Sequence, residues 1–268
     1  MLVRTWNVFH GNAVPPERQG FLEQAVRLAT EDGPDVLCLQ EVPVWALERL
    51  GEWSGMSVYG EVAARPRIGP FPSTASFGGW LTHFDRGRLR SAFSGQANAI
   101  LLGAALRGEE EHSLELNSAS FRQAQALTLG LDLVMRLAWA RERRVCQALR
   151  ARTADGRTFV IANLHASGLT DDRLPDAEGL RAASFVDGLT RPGDVCVLAG
   201  DFNIWPARSR TLADLVAPEW GFSPPGPKLD QVLVRGAKSR EPVVWPIERR
   251  RAGGRLLSDH APVEVELS

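Results

Sequence analysis

The chain is poor in cysteine, lysine and tyrosine, with three, two and one among its 268 residues. Cys38, Cys146 and Cys196 stand far apart inside apolar runs, without the spacing of a thiolate metal site or a disulfide framework. They read as core residues in a reducing compartment. Two lysines against 29 arginines look like coding bias rather than selection for phosphate contacts. Most surface arginines, including "RERR" from Arg141 and "ERRRAGGR" from Glu248, are therefore discounted as solvated faces. Net charge is also scarce: a value of -1 offers no general attraction to a polyanion. No apolar run is long enough to span a membrane, and "LVRTWNVF" has no basic start before an apolar stretch. A cytoplasmic protein is expected.

What is present is a chain with 44% hydrophobic and 24% charged residues and no long linker, which predicts one domain over 1–268. "LVRTWNV" reads as a strand, "VPPERQGFLEQAVRLATEDGP" as a helix with proline in its opening turn, and "DVLCLQE" as an interior strand. Phe21, Leu22, Ala25, Val26 and Ala29 form the buried stripe of that helix, which Gly33-Pro34 stops. The plan recurs in "TFVIANLH", the helix "RLPDAEGLRAASFVDGL" and the strand "DVCVLAGDFN". Asn7 and Glu41 end the strands of the first unit; His165 and Asp201 end those of the second. If each unit's strands run parallel, crossover connections put all four residues on one polar rim.

Between the units lie the strand "QANAILLG", a helix-like stretch from Ser118 to Arg141 and the strand "RRVCQALRA". Phe121, Ala124, Thr128, Leu131, Met135 and Ala138 recur at helical spacing in that stretch and read as core packing. The region 104–141 is expected to be a helical insertion beside the rim that helps to define the substrate. Segments 62–76 and 217–228, rich in proline, glycine and serine, are expected to be loops. "DQVLV", "VVW" and "SDHAPVEVEL" close the chain as strands, the last carrying Asp259 and His260 at its start.

Asn7, Glu41, Asn98, His165, Asp201, Asn203, Asp230, Asp259 and His260 are thus polar residues at strand ends. Carboxylates without thiolates suit magnesium or manganese, and the separated histidines make no local zinc motif. A divalent ion, neutral amides and imidazoles around an aspartate that aligns water suit phosphoryl transfer. His10, near Asn7, is open between a pocket edge and a surface loop. His83 and His112 join no constellation, and most tryptophans read as core, with Trp205 suspected of lining the pocket.

"TWNV", "CLQE", "ANAIL", "ANLHAS", "GDFN", "LDQVLV" and "SDHAPV", in this order, resemble the endonuclease/exonuclease/phosphatase superfamily with the deoxyribonuclease-like fold. The resemblance spans essentially the whole chain. It implies an α/β (α+β) four-layer α-β-β-α sandwich, two packed mixed β-sheets flanked by helices. It implies Glu41 as the main ligand of Mg2+ or Mn2+, with Asn7 and Asp259 completing or supporting that site. Asp201 matches the residue that orients or deprotonates water, or protonates the leaving group, and Asn203 its phosphate-positioning neighbour. His260 matches the phosphate-contacting histidine held by Asp230, and His165 the second histidine of the deoxyribonuclease, phosphatase and sphingomyelinase branches. That last match argues against a DNA-repair endonuclease. "ERRVCQALRA" resembles the family's Glu-Pro-Arg-Gly stretch, making Arg144 a phosphate contact, although Arg143 stands where that pattern has proline. Asn98 joins Arg144 in substrate binding.

The expectation is a divalent-metal-dependent phosphoesterase that hydrolyses a phosphodiester or phosphomonoester by attack of water. The alternatives are a non-specific nuclease of the deoxyribonuclease type and a non-catalytic binding module that keeps the fold. The expected partner is a phosphate-ester substrate, small molecule or nucleic acid. No protein partner is indicated.

Overall fold

Apolar runs bounded by turn residues become the strands of two sheets, in a computed structural model that describes residues 1–68, 71–77, 80 and 91–268. In chain order these strands are β1 (Leu2–Asn7), β2 (Val36–Val42), β3 (Ser57–Ala64), β4 (Gln96–Leu102), β5 (Leu106–Glu115), β6 (Val145–Thr153), β7 (Thr158–His165), β8 (Val195–Asp201), β9 (Asp230–Arg235), β10 (Val243–Val244) and β11 (Val263–Glu266). One sheet has the order β10-β11-β1-β2-β4-β3 and the other β9-β8-β7-β6-β5. Each contains one parallel pair, β1 with β2 and β7 with β8. The remaining pairings in both are antiparallel, so both sheets are mixed.

The two sheets pack face to face through Val36, Ile100, Leu149, Phe159, Val197 and their neighbours. Helices α1 (Leu22–Thr30) and α2 (Leu47–Ser54) cover the outer face of the six-stranded sheet, where Val26 and Leu50 pack with Leu37 and Leu39. Two further helices, α3 (Ala119–Thr128) and α4 (Leu133–Ala140), form a pair between β5 and β6. Helices α5 (Arg173–Leu189) and α6 (Arg210–Val216) cover the five-stranded sheet through Ala182, Val186 and Leu212. The result is the expected four-layer sandwich. Cys38, Cys146 and Cys196 are all buried, free and inside it.

Several sequence expectations need correction. The first helix begins at Leu22, not in the proline pair, and Ala13–Val14 is a short strand. Pro16 disfavours a helical conformation at the residue before it, and Gly20 precedes the helix. The predicted buried stripe of that helix holds at all five positions. The first third of 104–141 is strand β5 rather than helix, an edge strand whose Glu109, Glu110 and Glu111 discourage further pairing. The remainder is two helices, because Gly130 takes a left-handed φ of +60°, and Leu131 N–H donates to Ala126 O across the break. Asp132 then caps α4 by accepting from Met135 N–H at 2.7 Å. This break resets the helical phase, so Ala124 and Thr128 of the predicted stripe are exposed, while Ala126, Leu131 and Trp139 are buried. Segment 62–76 is not all loop: β3 runs through Ala64, and Arg67–Ile68 pairs with Phe71–Pro72. The last strand starts at Val263, so Asp259 and His260 precede it.

Between the sheets, the layer changes character along the parallel strands. At the β1 and β7 starts it holds Val3 and Phe159; toward their ends it holds Thr5, Gln40 and Asn163. Gln40 Nε2 donates to Thr5 Oγ1 at 2.9 Å and Asn163 Oδ1 at 2.6 Å. Asn163 Nδ2 in turn donates to Leu39 O and Ala99 O in the opposite sheet. These bonds lock the sheets in register just beneath the rim, while Gln40 Oε1 is left without a partner.

Candidate active site

Parallel pairing places the four strand ends together, since Asn7 lies opposite Gln40 in one sheet and His165 opposite Asp201 in the other. Two local deviations aim the side chains. In β2, three steps from Leu39 to Val42 face two steps from Ala99 to Ala97, a β-bulge that Glu41 absorbs at φ +55°. Simple alternation would turn Glu41 with Leu37 and Leu39 into the helix layer; the bulge turns it to Asn7. In β8, Gly200 at φ +133° passes so close to β7 that an added Cβ would lie 2.0 Å from Leu164 O. Only glycine fits immediately before Asp201.

Five non-glycine residues have positive φ among the described residues: Phe9, His10, Glu41, Asn203 and Ser258. Each belongs to this rim. Such conformations cost about 1–3 kcal/mol apiece and persist where surrounding contacts over-determine them.

Asn7 joins the two halves. Its Nδ2 donates to Glu41 Oε1 at 3.2 Å and to Asp201 Oδ2 at 3.0 Å, while its Oδ1 accepts from Phe9 N–H at 3.1 Å. Carboxylates on one side and a backbone donor on the other fix the amide's orientation. Asp201 Oδ1 accepts from Asn203 N–H at 2.9 Å. Asn203 Nδ2 donates to Ala166 O at 2.9 Å and lies 3.3 Å from Asp201 Oδ2. His260 Nδ1 is 2.8 Å from Asp230 Oδ2, and its Nε2 faces Asp201 at 3.8 Å. His165 Nε2 lies 3.8 Å from Glu41 Oε1 and 3.7 Å from Asp201 Oδ2. Arg144 Nη1 sits 3.0 Å from that same nitrogen, and its Nη2 donates to Glu142 Oε2 at 2.8 Å.

The structure therefore brings Asn7, Glu41, Arg144, His165, Asp201, Asn203, Asp230 and His260 into one cluster. Asn98 and Asp259 stand apart from its direct contacts. Asn98 is fully buried between the sheets and donates to Val145 O at 3.2 Å, leaving its Oδ1 without a partner. Asp259 is exposed, with Oδ1 3.5 Å from Ser258 Oγ. His112 is on the edge strand β5 beside Glu110, and His83 lies outside the described residues.

Sequence reasoning missed the supporting contacts. His10, left open above, is buried with Nε2 3.1 Å from Glu41 Oε2. Gln96 Nε2 lies 2.7 Å from His165 Nδ1, although its strand drew attention only to Asn98. Ser258 Oγ donates to Asn7 O and accepts from His260 N–H, tying the last loop to β1. Glu178 is buried in α5, accepting from Trp139 Nε1 and from Ser167 N–H and Oγ–H. The available signal for His10 was its spacing from Asn7; nothing in the sequence marks Gln96 or Glu178.

The carboxylates differ in protonation. Burial opposes charge on Glu41, but His10, by hydrogen bond and charge, and Asn7 hold it well below the ordinary range. Burial and the neighbouring Asp230 push Asp201 up to about 6, against the pull of His260, Asn7 and Asn203. Burial also disfavours charge on His260, yet Asp230, Asp201 and Asp259 raise it to about 10, so it is an imidazolium near neutrality. His165 goes the other way: burial and Arg144 lower it well below 6.5 and keep it neutral. Its proximity to Glu41 and Asp201 is thus no ion pair, and His10 carries the main stabilisation of Glu41.

Two groupings are candidates for a cation. Glu41 offers an ionised hard-oxygen donor that is partly open to solvent, beside the Asn7 amide, and this fits a magnesium-like ion. Asp201, Asp230 and His260 also have ligand atoms within 4.8 Å of one another. In that group, however, His260 is protonated and engaged with Asp230, so it lacks the lone pair a metal needs. The donor chemistry favours Glu41.

A model of the Endonuclease/Exonuclease/phosphatase family matches residues 5–260. No curated protein matches the sequence. The fold is similar to a functionally unknown conserved protein from Enterococcus faecalis, at 14% identity and TM-score 0.67, covering 100% of this chain and 99% of that one. It is similar to a mannosyl-6-phosphatase from Bacteroides thetaiotaomicron at 16% identity and TM-score 0.61, covering 100% and 99%. It is also similar to the human Nocturnin catalytic domain with bound sulfate, at 17% identity and TM-score 0.60, covering 100% and 93%.

Proposed function

This chain belongs to the Endonuclease/Exonuclease/phosphatase family, and from that premise we propose that it is a divalent-metal-dependent phosphoesterase using water as the nucleophile. The observation that carries the reading is the opposed tuning of two carboxylates bridged by one amide. Glu41 is held ionised, and Asp201 is raised toward neutrality, with Asn7 donating to both. Glu41, supported by Asn7, would hold Mg2+ or Mn2+. Such an ion supplies Lewis-acid polarisation of a phosphoryl oxygen when bound.

The chain's own groups account for the rest. Asp201, at about 6, is mostly ionised at neutral pH yet basic enough to accept a proton from water. Asn203 N–H and Asn7 Nδ2 fix the orientation of its two oxygens. His260, kept cationic by Asp230, presents Nε2 as a donor to a phosphoryl oxygen. His165 is neutral and braced by Gln96, and Arg144 adds a fixed cation at the same edge. The relatives named as a phosphatase and as a sulfate-bound catalytic domain support a site for tetrahedral oxyanions.

The test is hydrolysis with Mg2+ or Mn2+ of phosphomonoesters, phosphodiesters, plasmid DNA and RNA, with Asp201→Asn and His260→Gln as controls. Release of product from small esters, lost in both variants, supports the reading. Cleavage of nucleic acid by the same residues favours the nuclease alternative. Silence across the panel together with no response to divalent ions favours the binding module.

A further inference from the structure

Glu178 is a buried acid that the proposed chemistry leaves unused. It lies in α5 at 0% exposure, where an apolar side chain would serve better were packing its only role. Donors surround it. Its Oε1 accepts from Trp139 Nε1 at 2.6 Å and from Ser167 Oγ at 2.8 Å, and its Oε2 accepts from Ser167 N–H at 2.6 Å. Burial pushes the carboxyl above its ordinary value, while Trp139, Ser167 and, least, Arg144 pull it down. A carboxylate offers acceptors at both ends and no donor, so it suits this cradle.

Ser167 carries the acid's reach beyond its own helix. It is the centre of a segment, 166–168, that leaves β7 after His165 and closes on Asn203. On one side, Ala166 O accepts from Asn203 Nδ2 at 2.9 Å, and Ala166 N–H donates to Asp201 O at 2.9 Å. On the other, Gly168 approaches so closely that an added Cβ would stand 3.3 Å from Asn203 Oδ1. Asn203, at φ +52°, donates its own N–H to Asp201 Oδ1 at 2.9 Å. Such a conformation persists where contacts over-determine it. Ser167 gives both its N–H and its hydroxyl to Glu178, so the contacts run from Glu178 through Ser167 and Asn203 to Asp201.

Support from behind comes from the α3–α4 pair. Trp139 is 1% exposed and packs with Ala126 and Leu131 on Leu174, at the start of α5. Its carbonyl accepts from Asn117 Nδ2 at 3.0 Å, and Asn117 Oδ1 accepts from Arg144 N–H at 2.8 Å. Arg173 Nη1 donates to Leu129 O at 2.6 Å, a further bond between α5 and the break in the helix pair. Trp139 is thus fixed by contacts other than Glu178 and can hold the carboxylate in place.

We propose that Glu178 is a positioning residue: supported by Trp139, it holds segment 166–168 against Asn203 and through Asn203 fixes the orientation of Asp201. It touches no reacting group. Its effect on turnover rests on the phosphoesterase reading, whereas its effect on the loop does not.

Glu178→Gln keeps the shape and breaks the cradle, because an amide accepts at one end only and must turn a donor toward either Trp139 Nε1 or Ser167 N–H. The experiment on the full chain combines a double-mutant cycle with Asn203→Ala, read as kcat and KM on one phosphate ester, and hydrogen–deuterium exchange. In Glu178→Gln, kcat should fall about tenfold with KM within about twofold of wild type. Added to Asn203→Ala, the same substitution should cost nothing further, since both act along one line of contacts. Exchange should quicken at 166–168 and at Asn203 and stay unchanged in β1 and β2. Trp139→Phe, which removes the donor and keeps a ring in the core, should give the same pattern at about threefold, and it replaces Glu178→Gln if that variant does not fold. Wild-type kcat, additive losses in the cycle, or unchanged exchange at Asn203 while 166–168 loosens would each overturn the proposal. Faster exchange across β1 and β2 as well would overturn it too, leaving Glu178 a role in general stability. A wild type that turns over no ester overturns the phosphoesterase reading instead, and exchange at Asn203 then decides the positioning role alone.

Discussion

The units β1–α1–β2 and β7–α5–β8 are built alike, each a parallel strand pair with a crossover helix and a polar residue at each strand end. Their electrostatics are opposite. In the first, His10 and Asn7 outweigh burial and keep Glu41 charged. In the second, full burial and Asp230 outweigh the donors around Asp201 and raise it to about 6. The histidines also diverge, because His260 faces Asp230 while His165 faces Arg144. One topology thus supplies both an ionised carboxylate and one raised toward neutrality, and the neighbours His10 and Asp230 set the difference.

Turnover is where breaking either half should show most. Asp201→Asn leaves the shape but removes the proposed proton acceptor, and kcat on a phosphate ester should fall by about 10²–10⁴-fold. Glu41→Gln should abolish the activity's dependence on added Mg2+ or Mn2+ along with most of the rate. A thermal-shift series sharpens the contrast. Ion at about 100 times its Kd should stabilise the wild type by about 2.7 kcal/mol, and Glu41→Gln should lose that gain.

Without ion, the two substitutions should act with opposite sign on stability. The carboxyl of Glu41 is depressed in the folded state, so it contributes stability above the unfolded value of 4.5, lost as pH falls through the folded value. Glu41→Gln should therefore lower Tm at pH 7. Asp201 is raised, so its ionisation costs stability above pH about 6, a cost absent below 3.8. Asp201→Asn should raise Tm at pH 7, by the equivalent of about 1 kcal/mol, with the gain fading on acidification toward pH 4. Equal signs for the two variants would break the comparison.

The His260–Asp230 contact should give a smaller and separable effect. Because His260 rises to about 10 on folding, its stabilisation is fully present below 6.5 and is lost as pH rises through about 10. The Tm advantage of wild type over His260→Gln should be flat from pH 5 to 6.5 and shrink on the alkaline side. Asp230→Asn should move the alkaline limb of the kcat profile downward in pH. Smallest of all, Asp259→Asn, at an exposed position, should weaken ion affinity by less than about tenfold, measured by calorimetry.

Much of this was legible in the sequence because strand ends follow from apolar runs, and parallel pairing forces such ends together. "TFVIANLH" spans β7 from Thr158 to His165, and Asp201 lies opposite His165 as the unit plan requires. The division of charge was not legible. His10 reaches Glu41 only because Glu41 sits in a bulge, and the bulge is set by pairing with β4, a strand far along the chain. Gln96 and Asn98 look alike on one strand, but the first meets His165 while the second ties the two sheets. In α3–α4, one glycine shifted the helical phase and turned an expected core stripe partly outward. Long-range contacts decided each case.

The most direct test of the divided site is Mn2+ binding, followed by calorimetry or electron paramagnetic resonance, in wild type, Glu41→Gln and Asp201→Asn, beside turnover of one phosphate ester. The division predicts near wild-type Mn2+ affinity with lost turnover in Asp201→Asn, and lost binding in Glu41→Gln. Loss of Mn2+ in Asp201→Asn with binding retained in Glu41→Gln would contradict it and place the ion among Asp201, Asp230 and His260.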